Sequence, residues 1–336
     1  MNTPLVSVIL PLYNEPMEFA RDAINSILMQ TFTDYELILI IDNPANRELI
    51  NLVHEYENAD ERVSIIINER NLGLPSTLNR GIDASKGRYI ARMDGDDVSA
   101  PSRFEIQVNY LEAHPEIDLI GCNATIIDEN SNVIGHYNKF SSDFAQKIML
   151  RHVGSNLIHP TWMGKATIFR QLKYRDFWYC EDYDFLLRAS AENFHFHNLK
   201  KDLLSYRIVQ RSLRSISREK AYEQYVNAKV ARHLFKQHLK TKSSCYPCIP
   251  QIEYNADDAT KYHSSVLQLN RLRTAIGQHR LSETIRAIGA IICKYPQILI
   301  PYIKGGCFKS FLTLAEYLSP SLKHKTADYQ QSSRNL

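Results

Sequence analysis

Three aspartates fall within four residues at Asp94-Gly95-Asp96-Asp97, directly after an apolar stretch, Tyr89-Ile-Ala-Arg-Met93, that reads as a buried β-strand. Carboxylates this close repel one another and need a positive charge to offset them. A divalent cation meets that need. Mg2+ and Mn2+ favour hard oxygen ligands, and Mg2+ commonly takes one or two carboxylates together with substrate phosphates. Residues two apart in an extended chain face the same way, so Asp94 and Asp96 are the pair that would address one ion. Gly95 lets backbone and ligand come close. The plain alternative is an acidic turn that caps the following helix, since Asp-Gly turns are common. A second acidic run, Glu181-Asp182-Tyr183-Asp184, opens a predicted helix, where carboxylates complement the helix dipole.

The elements that must position these residues alternate regularly. Residues 5–10 form an apolar, β-branched run between Pro4 and Pro11, which suits a strand buried on both faces. The polar loop Pro11-Leu-Tyr13-Asn14-Glu15-Pro16 follows, then a helix with Phe19, Ala23, Ile24, Ile27 and Leu28 at helical spacing. A strand over 35–41 ends in Asp42-Asn43-Pro44, and a helix covers 47–57. A strand over 63–67 leads into Asn68-Glu-Arg70-Asn71-Leu-Gly73, then a helix over 75–84, then the Tyr89 strand. Such alternation predicts a mostly parallel central sheet flanked by helices on both faces. Ligands of these sheets bind at the carboxyl ends of the strands. Tyr13, Asn14, Glu15, Asp42, Arg70 and Asp94 to Asp97 all fall there. Further along, the spacing predicts helices over 101–113, 144–151, 165–171 and 185–191, a strand over 119–127, and a hairpin closed by 133–137.

Composition narrows the function classes. With 336 residues, 44% of them hydrophobic, the chain can bury a sizeable core. A net charge of +3 gives no whole-molecule attraction for nucleic acid. The N-terminus lacks the basic region of a secretion signal, so the six cysteines read as free thiols of a reducing compartment. Cys245-Tyr-Pro-Cys248 is the one close pair, and without a second pair or suitably spaced histidines it reads as ordinary thiols rather than a zinc site. The longest apolar run, 287–303, is broken by Lys294 and Pro296 and is not of membrane-spanning type.

The C-terminal third differs in character. Between Leu203 and Lys242 ten basic residues stand against only Glu219 and Glu223. Tyr222, Val226, Val230 and Leu234 share one face of a predicted helix over 219–239. Such a helix either lies on an anionic membrane or packs on the domain before it. A further helix is expected over 282–293, an apolar, aromatic, Lys-dotted segment over 295–318 could meet a membrane interface, and the last ten residues read as disordered.

Taken in order, Val6-Ser-Val-Ile-Leu-Pro-Leu-Tyr13-Asn14-Glu15, Ile40-Ile-Asp42, Asn71-Leu-Gly73, Lys86-Gly87-Arg-Tyr89-Ile-Ala-Arg-Met-Asp94-Gly-Asp96-Asp97, His159-Pro160 and Glu181-Asp182-Tyr183-Asp184 resemble the family 2 glycosyltransferases over about residues 4–215. The resemblance implies the GT-A fold, an α/β nucleotide-diphospho-sugar transferase architecture. It divides the chain into a catalytic domain at 1–215, a helical extension at 216–326 and a tail at 327–336. It implies a UDP-sugar donor, with Pro11, Tyr13 and Glu15 lining the uridine pocket, Asp42 on the base and Asp94 on the ribose or sugar. Asp96, with Asp94, would hold Mn2+ or Mg2+, and Asp182 would be the general base of an inverting displacement. Arg70, His159 and Glu181 complete the expected substrate contacts, though His159 also reads as a packed or capping histidine. The helix dipole is expected to keep Asp182 ionised at neutral pH. The acceptor implied is a lipid-linked saccharide of bacterial surface polysaccharide such as O-antigen, capsule or exopolysaccharide, met in the cytoplasm or peripherally on the cytoplasmic face of the inner membrane.

Two departures from the family pattern stand out. Asp42-Asn43-Pro44-Ala45 replaces the usual pair of aspartates followed by Gly-Ser. Gln210-Arg-Ser-Leu-Arg214 lacks the tryptophan of processive synthases, which points to one sugar added per acceptor. A nucleotidyltransferase is the alternative enzyme, but no Gly-rich N-terminal loop is present to hold a triphosphate. A non-catalytic nucleotide-sugar-binding relative is the other alternative, distinguished by loss of the base or of the metal ligands.

Overall fold

The computed structural model describes residues 3–209, 218–241, 243 and 245–277. β1 (Val6–Leu12) is buried along its whole length, as a β-branched run between helical layers should be. α1 (Met17–Leu28), β2 (Tyr35–Ile41), α2 (Arg47–Ala59), β3 (Val63–Ile67), α3 (Leu74–Ala84) and β4 (Tyr89–Arg92) follow within a few residues of the expected bounds. β1 pairs in parallel with β2 on one side and β4 on the other, and β2 pairs in parallel with β3. Successive residues serve opposite faces. Val8, Leu10, Leu37, Leu39 and Ala91 pack under α1 and α2, while Ile9, Ile38, Ile40 and Ile90 pack with Leu78 and Ile82 of α3 on the other side. Because β2 and β4 flank β1, the crossover direction reverses between β1 and β4, which opens a crevice at their carboxyl ends.

Beyond β4 the sheet becomes mixed, in the order β3-β2-β1-β4-β8-β6-β9-β5, with β7 (Val133–Tyr137) hanging from β6 (Leu119–Ile127) as a hairpin. β8 (Met163–Lys165) is antiparallel to both β4 and β6, and β9 (Phe196–Arg207) runs parallel to β6. β5 (Val98–Ser99), only two residues, pairs antiparallel with Leu204 and Ser205 of β9. The sequence predicts no strand at β5, β8 or β9. Two or three residues carry no readable alternation. In β9 the pairing register shifts opposite Cys122 and Asn123, so the period-two pattern is broken across Lys200, Lys201 and Asp202.

α4 (Arg103–Ala113), α5 (Asp143–His152), α6 (Ala166–Leu172) and α7 (Glu181–Ala191) complete the α/β part. A basic helix, α8 (Arg218–Thr241), packs on it, burying Ala231, Leu234 and Phe235 in the same cluster as Phe185 and Leu186 of α7. α9 (Ala256–Gly277) then lies on α8, with Tyr262 against Tyr222 and Tyr225 at ring distances of 5.8 and 4.8 Å. α9 had no expected counterpart. The helix predicted over 282–293, the segment at 295–318, the tail and the Gln210–Arg214 region lie outside the described residues.

Candidate active site

The first wall is the turn after β4. Gly95 sits hard against the end of β1: a Cβ there would lie 2.4 Å from Leu12 Cδ2 and 3.3 Å from both Glu15 Cγ and the Pro11 carbonyl. Only glycine allows that approach, and it draws the β1 loop and the acidic turn together. Oxygens of Asp94, Asp96 and Asp97 come within 4.8 Å of one another. Glu15 joins them, its carboxylate accepting from the Tyr13 amide at 2.6 Å. Burial pushes the Asp96 carboxyl up to about 7, with Asp94 and then Glu15 adding to the effect. Burial likewise raises Glu15, and holds Asp97 well above the usual range with help from Asp94 and Asp96.

Two arginines brace this turn, and the sequence reading gave neither a role. Arg92, the last residue of β4 and almost fully buried, pairs with Asp94, while its Nε and Nη1 have no hydrogen-bond partner. Arg207, at the end of β9, donates its amide to Asp97 at 2.8 Å and its Nε to the Asp96 carbonyl at 2.8 Å. The short β5–β9 ladder is what brings Arg207 there, since its last pair is only two residues away. The available signal was a charge in the otherwise apolar strand that precedes the acidic turn.

The donor set of this turn fits a hard divalent cation. It offers three carboxylates, and one oxygen, Asp97 Oδ2, is buried without a partner. A bound positive charge would offset the burial, and then the neighbouring carboxylates, that make Asp96 and Asp97 hard to ionise. Asp97 thus lies beside the expected ligands Asp94 and Asp96.

The second wall is the start of α7. Cys180 supplies no side-chain cap, and the Asp182 carboxylate instead accepts from the Tyr183 amide at 2.7 Å. Burial pushes Glu181 up to about 7, with Asp182 as the next cause. Asp182 is also raised, chiefly by burial, against the lowering influence of the Tyr183 amide and Arg92. The helix start is therefore not the dominant influence on Asp182, as the dipole argument had it. Arg92, paired with Asp94, donates its amide to the Trp162 carbonyl at 2.9 Å, and Trp162 packs on Phe185 of α7 at a ring distance of 5.7 Å. Glu181 and Asp182 both feel Arg92 and Asp94, so the two acidic runs, far apart in sequence, come within reach of one guanidinium. Asp184, by contrast, is a structural residue. It is fully buried and receives Arg175 through both carboxylate oxygens and Arg188 Nε at 2.9 Å.

Other predicted residues have different surroundings. His159 is buried beside Trp162 at a ring distance of 4.5 Å, with Nε2 2.8 Å from the Tyr174 hydroxyl. Burial, then Arg92, holds it well below the usual histidine range. These contacts match its packed reading. Asp42 is buried and accepts from Asn68 Nδ2 at 2.7 Å, the Leu72 amide at 2.8 Å and the Gly73 amide at 3.0 Å. A carboxylate has about four acceptor positions, so Asp42 is mostly occupied in holding the loop after β3. Gly73 needs its φ of 79° to start α3 from that loop. Arg70 on the same loop and Tyr13 on the β1 loop are exposed, and Pro11 is buried. Cys245 and Cys248 are free and exposed.

Residues 7–173 match the family model described as glycosyl transferase family 2. An uncharacterized glycosyltransferase of Methanocaldococcus jannaschii is 35% identical over 245 residues, which is 72% of this chain and 82% of that protein. The O-antigen biosynthesis glycosyltransferase WbnJ of Escherichia coli is 31% identical over 245 residues, 72% of this chain and 93% of that one. Among solved structures, S. aureus TarS 1-349 in complex with UDP-GlcNAc superposes with a TM-score of 0.53 at 16% identity, covering 85% of this chain and 80% of that one, a likeness of fold.

Proposed function

The chain belongs to the family 2 glycosyltransferases, and on that premise we propose that it moves one sugar from a UDP-sugar to a hydroxyl of a lipid-linked saccharide, with inversion, in the assembly of a bacterial surface polysaccharide. The observation that carries this reading is buried Arg92, which pairs with Asp94 of the acidic turn, joins through its amide to Trp162 packed on Phe185 of α7, and with Asp94 acts on both Glu181 and Asp182. One wall suits a cation-bridged diphosphate and the other a base. The relative in E. coli named for O-antigen biosynthesis and the TarS structure named for UDP-GlcNAc support the acceptor class and the donor class respectively.

In this reading Pro11, Tyr13 and Glu15 hold the uridine, with the exposed Tyr13 ring and Arg70 at its edges, and Asp42 sets the loop that borders the base. Asp94 contacts the ribose or sugar. Asp94 and Asp96, backed by Asp97, hold Mn2+ or Mg2+. The cation, when bound, stabilises charge gathering on the leaving diphosphate as a Lewis acid. The two unpartnered nitrogens of Arg92 offer further donors to phosphate oxygens. Asp182 accepts the proton of the attacking hydroxyl, and its fixed place on α7 supplies the orientation that a single displacement needs. Attack opposite the leaving group turns an α-linked donor into a β-product.

Among the described residues no helix is long and apolar enough to cross a membrane. The apolar side of α8 is spent on α7, so contact with an anionic bilayer falls to its basic side and to residues beyond Gly277. UDP with Mn2+ should raise the melting temperature by several degrees, and UDP with EDTA should not. A nucleoside triphosphate that stabilises more than UDP would instead favour nucleotidyl transfer. Absence of co-sedimentation with anionic liposomes would remove the membrane-contact part of the proposal and leave transfer untouched.

A further inference from the structure

The residues immediately before Glu181 and Asp182 include two large aromatic side chains left open to solvent, Trp178 at 51% and Tyr179 at 37% exposure. The only other tryptophan of the chain, Trp162, is fully buried. The exposure of Trp178 comes with a firm backbone. Its carbonyl accepts from Nδ2 of Asn227 on α8 at 2.8 Å, and Oδ1 of Asn227 accepts from the Tyr254 hydroxyl at 2.8 Å. Asn227 is 1% exposed, so a buried amide is committed to holding this loop. Tyr179 adopts a φ of 58°, which a bulky residue keeps only where its surroundings over-determine it.

The position of Trp178 is also informative. Its six-membered ring lies against Gly73, where a Cβ would be 3.5 Å from Cη2 and 3.7 Å from Cζ2. Gly73 belongs to the loop after β3 that Asp42 holds. The indole therefore bridges the loop beside the nucleotide end of the crevice and the run of chain that becomes α7.

We propose that Trp178, with Tyr179 set against it edge-on at a ring distance of 6.3 Å, is the stacking surface for the acceptor saccharide, and that it selects an acceptor whose sugar ring can lie flat on the indole with a hydroxyl towards Asp182. One face of a pyranose carries axial C–H groups that pack on a π-face. An indole supplies that area with only two rotatable bonds to freeze. This inference rests on reading the cleft as a glycosyl-transfer site. It adds the residue that orients the acceptor, and it gives the C-terminal extension a part in the site through Asn227 and Tyr254.

The test uses the full chain with UDP and Mn2+, and four probes: the methyl glycosides of glucose, galactose, N-acetylglucosamine and N-acetylgalactosamine. Trp178 emission should shift with at least one probe, over a constant background from buried Trp162. Saturation transfer to that probe's ring protons should fall at least tenfold in Trp178→Ala and persist in Trp178→Phe, with UDP affinity unchanged within twofold in both. Asn227→Ala should weaken the glycoside and leave UDP binding alone. No emission response to any probe overturns the proposal. So does a Trp178→Ala variant that binds glycoside normally, or one that loses UDP as much as glycoside. If a glycoside binds at Trp178 but the parent releases no UDP from any UDP-sugar, the transfer reading fails and the saccharide platform stands.

Discussion

Asp182 and Glu181 are neighbouring carboxyls, both raised by burial, with different partners. Asp182 accepts from an amide of its own helix and stands in the field of Arg92, while Glu181 is pushed up to about 7 by burial and by Asp182. In the proposed role of general base, Asp182 should be indispensable to rate and indifferent to nucleotide. Asp182→Asn should lower kcat by about 10^2- to 10^4-fold, the usual share of a positioned base, with UDP affinity close to the parent's and no loss of melting temperature, since a carboxyl raised by burial is removed. Near-normal turnover would remove Asp182 from that role. The pH dependence follows from the direction of the shifts. A carboxyl raised in the folded state binds its proton more tightly there than in the unfolded chain, so the fold loses stability as pH climbs from about 4.5 through about 7. Glu181→Gln removes that ionisation. Its melting temperature should equal the parent's at pH 5 and exceed it by a few degrees at pH 8, in metal-free buffer. An equal difference at both pH values would contradict the burial argument.

At the level of elements, α7 is held in register by a buried charge cluster rather than by packing alone. Asp184 is fully buried and bound by Arg175 and Arg188, and Arg175 also donates to the Pro247 carbonyl at 2.7 Å and lies over the Tyr246 ring at 4.9 Å. Removing one partner from such a cluster leaves charge buried without compensation, which costs about 3–5 kcal/mol. Asp184→Asn should therefore unfold at markedly lower denaturant, and the folded fraction should still bind UDP, because the first wall does not depend on α7. The sequence showed the existence of α7 and its acidic start, but did not separate the two roles within Glu181-Asp182-Tyr183-Asp184. Spacing says that Asp184 is acidic in the first turn, and only the fold shows that two arginines reach it. Strands β1, β2 and β4 were legible because strands buried on both faces are apolar almost throughout, and β3, half-exposed at the sheet edge, was legible from its β-branched run. β9 was not, because its bulges hide the alternation, and with it Arg207 went unnoticed.

Over the whole molecule, the α/β part and α8 share one packed interior, through Ala231, Leu234 and Phe235. The basic composition of the extension was plain in the sequence. Which side of it would be covered was not, since both membrane and protein can take an apolar stripe. α9 left little trace because its apolar residues are sparse and it begins on Asn255-Ala-Asp-Asp, a polar run. The family motifs made the crevice legible, and their limit was the residues that join it to distant segments.

Arg207 is the plainest of those joints. Besides the Asp96 carbonyl, its guanidinium reaches Ser131 Oγ at 3.0 Å in the turn between β6 and β7, and Asp22 at 3.2 Å on α1. A planar fork can serve several directions at once, and an ammonium on a flexible stem cannot. Arg207→Lys keeps the charge and should still fold, yet it should let the acidic turn, the 128–131 turn and the adjoining part of α1 breathe independently. Amide hydrogens in those stretches should then exchange faster, while β2 and β3 keep the parent's protection. If protection is unchanged in all of them, the acidic turn owes its rigidity to its own backbone and not to a lock shared by remote parts of the chain.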